Sequence, residues 1–228
     1  MLTDYHCHII PKIDDGSDSV ETSLKMLGTM HEQGVERVVS TSHFYAHREK
    51  SVEEFLKKRQ NAFALVKEQN VPINEIRLGA EVAVEHGISG LANIEKLAIE
   101  GTSLILMELP YTSYAEWMPD EIYNLSCEFK LKPIIAHIHR YIEYYSAAEI
   151  KNILNLDAVF QVNNEAFANY KERKFVQNLI KEGYPVVFGS DSHNMDSRKP
   201  NFDLLMKKIK SKDDLLESSN VVLDKYAL

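Results

Sequence analysis

Histidines and carboxylates occur in small groups at several separate points of this 228-residue chain. Three groups carry two such residues at i and i+2, in the strings HCH at 6–8, HIH at 137–139 and DSH at 191–193. Single residues of the same types are His43, Glu81 and Glu108. Imidazole together with carboxylate is a ligand set that suits Mn²⁺, Fe²⁺ or Zn²⁺. The pattern therefore indicates a multinuclear metal site, for which neither cysteine is needed.

Nearly every one of these residues directly follows a short apolar run that predicts a β-strand. The predicted strands are Leu2–Tyr5, Val35–Thr41, Ile76–Ala80, Leu104–Met107, Pro133–Ala136, Val159–Val162 and Pro185–Gly189. The longer amphipathic segments between them predict helices, among them one that begins at Asp18 and one over Asn164–Lys181. The chain from Pro200 onward predicts a polar helical segment. Alternating strands and helices favour a parallel sheet with helices outside it.

The distribution of the polar residues distinguishes an open sheet from a barrel. An open doubly wound sheet has its site at one switch point, whereas a (β/α) barrel draws on the ends of all its strands. Because nearly every strand end contributes here, we predict an irregular seven-stranded (β/α) barrel, formed by residues 1–228 as one domain. Residues i and i+2 of a strand face the same side, so His6 and His8 should converge, as should Asp191 and His193.

Composition restricts the classes of partner. Asp and Glu total 34 against 26 Lys and Arg, which gives a formal net charge of −8. Such a chain lacks the basic surface that nucleic-acid backbones require, so nucleic acid is not predicted as a partner. The two cysteines, Cys7 and Cys127, are too few for a disulfide framework and fit a reducing cytoplasm. No signal peptide or membrane-spanning stretch is evident, so we predict a cytoplasmic protein without membrane insertion.

Seven motifs occur in the same order as in a known superfamily, over essentially the whole chain. They are DYHCHIIPKIDDGSDSVETSLKM, TSHFY, GAEV, the strand of Glu108, IIAHIHRY, FQVNNEAF and GSDSHNMDSRKP. The chain thereby resembles the polymerase and histidinol phosphatase (PHP) superfamily, and within it the protein tyrosine phosphatases of the CpsB/CapC type. The resemblance implies a distorted (β/α)7 TIM-like barrel and a manganese-dependent phosphatase of capsule and exopolysaccharide operons. The partner it implies is a phosphotyrosine-bearing protein, the tail of a bacterial tyrosine kinase.

The resemblance also implies three divalent metal ions, with Mn²⁺ favoured over Fe²⁺ or Zn²⁺. The first metal would be held by His6, His8, Glu81 and Asp191. Glu81 would bridge to the second metal, which Glu108 and His137 would complete, and the third would be held by Asp15, His43 and His193. Asp15 is chosen over Asp14 because it directly precedes Gly16. Arg140 and Arg198 match arginines of the family motifs and would act on the phosphate. His139 occupies a variable position and is not assigned as a ligand, and the loop at 44–50 differs from that of some relatives.

Charge and reactivity agree with this reading. Six positive charges from three metals against four carboxylates leave the loaded site positive by two, which with two arginines attracts a phosphate dianion. A metal-bound hydroxide would attack phosphorus, and a tyrosine leaving group, with a pKa of about 10, departs readily. The cysteine-phosphatase mechanism requires an arginine six residues after the nucleophilic cysteine. Ile13 and Pro133 stand there instead, so that mechanism is excluded.

Other functions compatible with such a site stay open. One is another PHP phosphoesterase, acting on histidinol phosphate or on nucleotides. A second is a metal-dependent amidohydrolase, although Glu108 stands where those enzymes often carry a carboxylated lysine; a third is a non-catalytic metal-binding module. Tyr111, Tyr114 and Trp117 follow the fourth strand, and we favour ordinary packing for them over stacking on a phosphotyrosine ring.

Overall fold

A computed structural model describes residues 1–208 and 213–228 of the chain. The strands are β1 (Leu2–Cys7), β2 (Val35–Ser40), β3 (His43–Phe44), β4 (Glu75–Leu78), β5 (Glu81–Ala83), β6 (Leu104–Glu108), β7 (Lys132–Ile135), β8 (Val159–Asn163) and β9 (Val186–Gly189). The helices are α1 (Val20–Glu32), α2 (Val52–Lys67), α3 (Trp117–Phe129), α4 (Ala147–Leu154), α5 (Tyr170–Lys181), α6 (Phe202–Lys208), α7 (Asp213–Asn220) and α8 (Val222–Lys225). Short 3₁₀ helices cover Ile88–Gly90, Ile94–Leu97, Ile138–Glu143 and Asn164–Phe167.

The strands form two parallel sheets, of order β1-β2-β4 and β3-β5-β6-β7-β8-β9. This confirms the predicted α/β class and the parallel pairing. The predicted second and third strands correspond to β2 and β4, and each is followed after a short break by a further strand, β3 or β5, that the sequence did not predict. At these breaks, backbone hydrogen bonds still join the segment at 79–81 to the segment at 40–42: Gly79 N donates to Ser40 O at 2.8 Å, and Glu81 N donates to Ser42 O at 3.0 Å.

The first strand also contacts the segment that follows the last one. Asp191 N donates to His6 O at 2.7 Å, and His8 N donates to Ser192 O at 2.9 Å. These hydrogen bonds place the DSH string directly beside the HCH string. The ends of β1 and β9, which lie far apart in the sequence, are therefore neighbours in space.

Both faces of β6 are apolar, as expected for a buried parallel strand. In β6, Leu104 and Leu106 pack in one hydrophobic cluster, and Ile105 and Met107 pack in a second, larger one. The larger cluster includes side chains of helices α1 to α6, whereas the smaller is closed by α8 through Leu223 and its neighbour Val222. Alternating side chains thus bury one face of the strand against helices and the other against residues of neighbouring strands.

Helix boundaries follow local capping, with small differences from the sequence predictions. α1 begins after Ser19, whose side chain accepts a hydrogen bond from Thr22 N, and not at Asp18 as predicted. The predicted helix at 164–181 is split into a 3₁₀ turn and α5, because Asn169 caps α5 with its side chain. The polar helical segment predicted from Pro200 is found as α6, α7 and α8, and residues 209–212 lie outside the described residues. None of the described helices is long and apolar enough to cross a membrane.

Candidate metal centre

The end of β1 brings two imidazoles together. His6 and His8 are fully buried, and their Nε2 atoms lie 3.1 Å apart. Between them Cys7 faces the opposite side and packs in the larger hydrophobic cluster, as the alternation of a strand requires. Two imidazole nitrogens that face each other at this distance share a point in space where a cation would bind.

Glu81, the first residue of β5, lies at the centre of the group. Its Oε2 is 3.1 Å from His6 Nε2 and 3.2 Å from His8 Nε2. Its Oε1 is 2.9 Å from His137 Nε2. Glu108, at the end of β6, completes this side, with Oε1 3.6 Å from His137 Nε2. The predicted ligands of the first two metals therefore surround one buried carboxylate, and Asp191 Oδ1 joins them 3.6 Å from His6 Nε2.

A second side of the group is built around His43 and His193. Their Nε2 atoms lie 3.5 Å and 3.4 Å from Asp15 Oδ1. The His193 ring packs on His8 with centroids 3.8 Å apart. His8, Asp15, His43 and His193 each offer a ligand atom within 4.8 Å of the others, so the structure joins His8 to the residues predicted for the third metal. His43 likewise shares a group with Glu81 and Glu108.

These residues fit divalent cations. His43 Nδ1, Glu81 Oε2 and His193 Nε2 are buried, and within the described residues none of them makes a hydrogen bond of good geometry, although ionisable partners lie 3.1–3.4 Å away. An unsatisfied buried polar atom costs roughly 1–3 kcal/mol, which a bound cation would offset. Burial and the nearby charges of Glu81 and Asp191 also raise the pKa of Glu108 to about 9. The cluster thus holds more carboxylates than its own cations neutralise, and its nitrogen and oxygen donors are those that Mn²⁺, Fe²⁺ and Zn²⁺ accept.

Two buried side chains orient the imidazoles of β1. Asp14 Oδ2 lies 2.8 Å from His8 Nδ1 and also accepts a hydrogen bond from His43 N at 2.9 Å. Gln161 Oε1 lies 3.1 Å from His6 Nδ1 and accepts from His137 N at 2.6 Å. In each case the Nδ1 atom is engaged, so Nε2 is left to face the centre. The sequence offered Asp14 only as the alternative to Asp15, and nothing in it singled out Gln161.

Asp191 is held in the same network. Gln161 Nε2 donates to Asn163 Oδ1 at 2.8 Å, and Asn163 Nδ2 donates to Asp191 Oδ2 at 2.9 Å. Gln161 and Asn163 lie on one face of β8, two residues apart. Burial raises the pKa of Asp191, but the charges of His6 and Arg140 outweigh it and hold that pKa below its usual range.

Backbone geometry at this centre is unusual. His137 and Asp191 have backbone φ angles of +29° and +50°, which residues other than glycine rarely adopt. Such strain is held in place by surrounding contacts and is typical of functional sites. Close packing also explains a glycine, because a Cβ at Gly16 would lie 2.4 Å from Cβ of His8. The Asp-Asp-Gly turn can therefore approach β1 only with glycine at this position.

The two predicted arginines converge on Asp191 from its two oxygens. Arg140 Nη1 lies 2.9 Å from Oδ2, and Arg198 Nη2 donates to Oδ1 at 2.7 Å. Arg140 lies in the 3₁₀ helix Ile138–Glu143, and its Nε also donates to Glu165 Oε1 at 3.1 Å. By contrast, His139 does not join the group: it is fully buried, and its Nε2 lies 3.8 Å from Glu172.

A cleft of about 600 Å³ opens over the centre. Its lining includes both arginines, five of the predicted ligands and three tyrosines: Arg140, Arg198, His43, Glu81, Glu108, His137, Asp191, Tyr45, Tyr111 and Tyr144. Of the aromatic residues after β6, Tyr114 packs against Tyr145 and Trp117 against His86, as expected for packing residues. Tyr111 differs from them because it lines the cleft.

The chain is similar to known proteins over most of its length. A model of the family described as capsular polysaccharide synthesis, CpsB/CapC, matches residues 2–224. Tyrosine-protein phosphatase CpsB of Streptococcus pneumoniae is 28% identical in an alignment of 233 positions, which covers 92% of this chain and 92% of that protein. Tyrosine-protein phosphatase YwqE of Bacillus subtilis is 27% identical over 213 residues, which cover 86% of this chain and 79% of that protein.

Solved structures share the fold. A crystal structure from work on YwqE of Bacillus subtilis and CpsB of Streptococcus pneumoniae, metal-dependent tyrosine phosphatases, superposes with a TM-score of 0.77 and 22% identity. The superposition covers 100% of this chain and 96% of that one. An organophosphorus hydrolase from Deinococcus radiodurans superposes with a TM-score of 0.54 and 10% identity, over 96% of this chain and 91% of that one. The arrangement of helices and parallel strands is therefore shared with these two enzymes.

Proposed function

The chain belongs to the CpsB/CapC family of capsular polysaccharide synthesis, and from this premise we propose that it is a metal-dependent protein tyrosine phosphatase. The observation that carries the proposal is the convergence of buried imidazoles and carboxylates beneath a cleft that two arginines enter. Relatives named as tyrosine-protein phosphatases, matched over most of their length, support it. The reaction is hydrolysis of a phosphoric monoester.

We assign the metal site to the residues predicted from the sequence: His6, His8, Asp15, His43, Glu81, Glu108, His137, Asp191 and His193. Three divalent ions, Mn²⁺ in preference to Fe²⁺ or Zn²⁺, account for nine ligands with Glu81 as a bridge. Bound there, they would supply Lewis acidity toward the phosphoryl oxygens and an activated water as nucleophile. Glu81 supports the bridging role, because its two oxygens face different imidazoles.

Arg140 and Arg198 are the residues that we assign to the substrate phosphate. A guanidinium group is planar and always charged, and its paired donors match two phosphoryl oxygens. Charge spreads over the equatorial oxygens as the phosphoryl group transfers, and donors fixed in place before the reaction stabilise that charge. Both side chains line the cleft beside Asp191, so they lie where a phosphate over the metal site would sit.

The leaving group needs little help, because a phenol has a pKa of about 10. No covalent phosphoenzyme is required either. Cys7 is buried in the hydrophobic core on the far side of β1, and Cys127 is exposed on α3. Neither lines the cleft, which agrees with a water nucleophile.

The substrate that we propose is a phosphotyrosine-bearing protein, the tail of a bacterial tyrosine kinase that controls capsule or exopolysaccharide synthesis. Family membership supports the link to capsule synthesis. The formal charge of −8 disfavours nucleic acid and does not prevent one phosphate dianion from entering the cleft. A kinase tail of this kind would be met in the cytoplasm, where we place the protein.

We also propose that the two sheets form one distorted (β/α)7 barrel in a single domain over residues 1–228. Three contacts support closure: β3 and β5 continue β2 and β4, and β1 bonds to the segment after β9. The apolar burial of both strand faces also supports it, because one face then fills the barrel interior. A closed ring of strand ends would bring all the assigned ligands to one side.

Phosphate release tests the proposed function. Protein freed of metal by a chelator is assayed with and without Mn²⁺ on a phosphotyrosyl peptide, histidinol phosphate and nucleoside monophosphates. We expect activity only with metal, and the highest kcat/KM on the peptide. Undiminished activity of the metal-free protein would contradict the metal mechanism. Preference for histidinol phosphate or a nucleotide would instead identify another phosphoesterase on the same site.

A further inference from the structure

Tyr111 places a hydroxyl group at the centre of the cleft. It follows β6 in the chain, and its hydroxyl lies 3.0 Å from Nδ1 and 3.4 Å from Nε2 of His137. The same hydroxyl is 3.5 Å from Nη1 of Arg140. It therefore lies between a residue assigned to the metals and a residue assigned to the phosphate.

With metal bound, the hydroxyl proton of Tyr111 would have no acceptor on His137 or Arg140. If Nε2 of His137, which faces Glu81 and Glu108, binds a metal, the neutral ring carries its proton on Nδ1. Nδ1 then donates to the Tyr111 hydroxyl, and neither ring nitrogen can accept a hydrogen bond from it. The guanidinium of Arg140 has donors only, so it cannot accept that hydrogen bond either. A phosphate bound between His137 and Arg140 would offer one of its oxygens as the acceptor for the hydroxyl proton of Tyr111.

The ring of Tyr111 forms part of the cleft wall. It stacks on His137 with centroids 5.6 Å apart and planes 24° apart, and Tyr144 lies 5.2 Å away. About a third of Tyr111 stays exposed, at 36%. Tyr141 also packs on His137 but is fully buried, and Tyr45, beside His43, is already covered by Arg48, whose guanidinium lies 4.5 Å from the ring centre. Tyr111 is therefore the ring best placed to meet an aryl group bound over the metals.

We propose that Tyr111 contacts the substrate through both parts of its side chain: the hydroxyl donates to a phosphoryl oxygen, and the ring packs against the aryl group of the phosphate ester. This inference rests on the proposed function. It explains how a centre that can bind any phosphate would favour an aryl ester, because aromatic pairs gain about 0.5–1.5 kcal/mol beyond area burial, which is roughly 2–12-fold.

Tyr111→Phe isolates the hydroxyl. We expect kcat on a phosphotyrosyl peptide to fall by roughly 10–100-fold, at or below the usual cost of losing one donor to the developing charge, because the site is partly open to water. Binding of inorganic phosphate to the manganese-loaded protein should weaken, whereas manganese content stays at the wild-type level. Wild-type kcat and phosphate affinity in this variant would overturn the role of the hydroxyl.

Tyr111→Leu isolates the ring when it is compared with Tyr111→Phe. The readout is the ratio of inhibition constants for phenylphosphonate and methylphosphonate, which share the phosphonate and differ in the aryl group. The wild-type protein and Tyr111→Phe should prefer the phenyl compound, and Tyr111→Leu should lose roughly 2–12-fold of that preference. An unchanged preference would overturn the role of the ring.

Tyr114 provides the matched control, because it belongs to the same loop and packs against Tyr145 outside the cleft. Tyr114→Phe should keep wild-type rates and inhibition constants. If Tyr111→Leu does not fold, phenylphosphonate bound to the wild-type protein loaded with Zn²⁺, which is diamagnetic, replaces it: its ring protons should shift upfield in the NMR spectrum, and unshifted protons would overturn stacking. A wild-type protein inactive on phosphotyrosyl peptide would instead contradict the proposed function, which separates the two failures.

Discussion

The imidazoles on the floor of the cleft and the arginines on its wall are anchored in different ways. His6 and His8 are fixed from behind by Gln161 and Asp14, so their Nε2 atoms face the centre before any ligand arrives. Arg140, in contrast, contacts Glu165 and also Asp191, a residue that we assign to a metal. The floor is therefore preorganised by side chains that keep their partners, whereas the wall is held in part by a carboxylate that metal binding would engage.

This difference indicates a division of labour. Metal affinity should depend on the floor and on the buried residues behind it, because they set the direction of the lone pairs. Substrate affinity and transition-state stabilisation should depend on the wall, because its donors face the cleft. The predictions below ask whether changes on one side leave the other side intact.

The largest effect is expected on the floor, for His137→Ala. This variant removes a neutral imidazole 2.9 Å from Glu81 and leaves that buried carboxylate with one neighbour fewer. We expect both loss of bound manganese and a fall in kcat/KM by roughly 10³-fold or more, about 4 kcal/mol of barrier. Metal analysis of the purified protein, together with phosphate release, checks both. Full metal content in a folded variant would mean that His137 is not a ligand.

Arg140→Ala tests the wall. A guanidinium group has no lone pair, so its removal should leave the metal content unchanged. The catalytic rate should fall by roughly 10²–10³-fold, the usual cost of losing a donor to developing charge. Arg173, which donates to Phe167 O outside the cleft, offers the matched control Arg173→Ala, for which we expect no loss of rate. Loss of metal in Arg140→Ala, as in His137→Ala, would erase the distinction between floor and wall.

A smaller effect is expected behind the floor, for Asp14→Ala. The variant removes the carboxylate 2.8 Å from His8 Nδ1 without touching the cleft arginines. Loss of such an orienting partner typically costs roughly 10–100-fold in metal affinity or activity. Titration of the metal-free protein with Mn²⁺ measures it, and excess Mn²⁺ should restore most of the rate. Asp18→Asn, an exposed aspartate in the same loop, should titrate like the wild type.

The same division separates what could be predicted from the sequence. The strand ends were readable, since apolar runs followed by paired histidines and carboxylates specify both the strands and the side on which i and i+2 converge. The short strands β3 and β5 were not predicted, because the predicted strands end at Thr41 and Ala80 and only hydrogen bonds to neighbouring strands reveal that pairing resumes beyond the breaks at 41–42 and 79–80. The role of Gln161 depends on the register of β8 beside β7, which composition does not encode.

The loop after β6 shows the same limit at the wall. Tyr111 and Tyr114 are three residues apart and of one type, yet one lines the cleft and the other packs on Tyr145. Aromatic residues in a loop predict burial somewhere, and the choice between the cleft and the core depends on where the loop turns. The sequence therefore predicts which residue types reach the centre better than which loop side chains enclose it.

The smallest effects are expected outside both regions, at the cysteines. Cys127 is exposed on α3, so Cys127→Ser should leave phosphatase activity and stability at wild-type values. Cys7 is buried, with Sγ 3.5 Å from Val39 O, so Cys7→Ser should lower the free energy of unfolding by about 1–2 kcal/mol because it places a hydroxyl among apolar side chains. Its rate at a temperature where it is folded should nevertheless stay within about twofold of wild type. Alkylation of the wild-type protein at Cys127 should be equally harmless.

A folded cysteine variant could instead lose roughly a hundredfold in rate, about 3 kcal/mol of barrier. That result would identify a thiolate as the nucleophile in place of water and would contradict the assignment of floor and wall together.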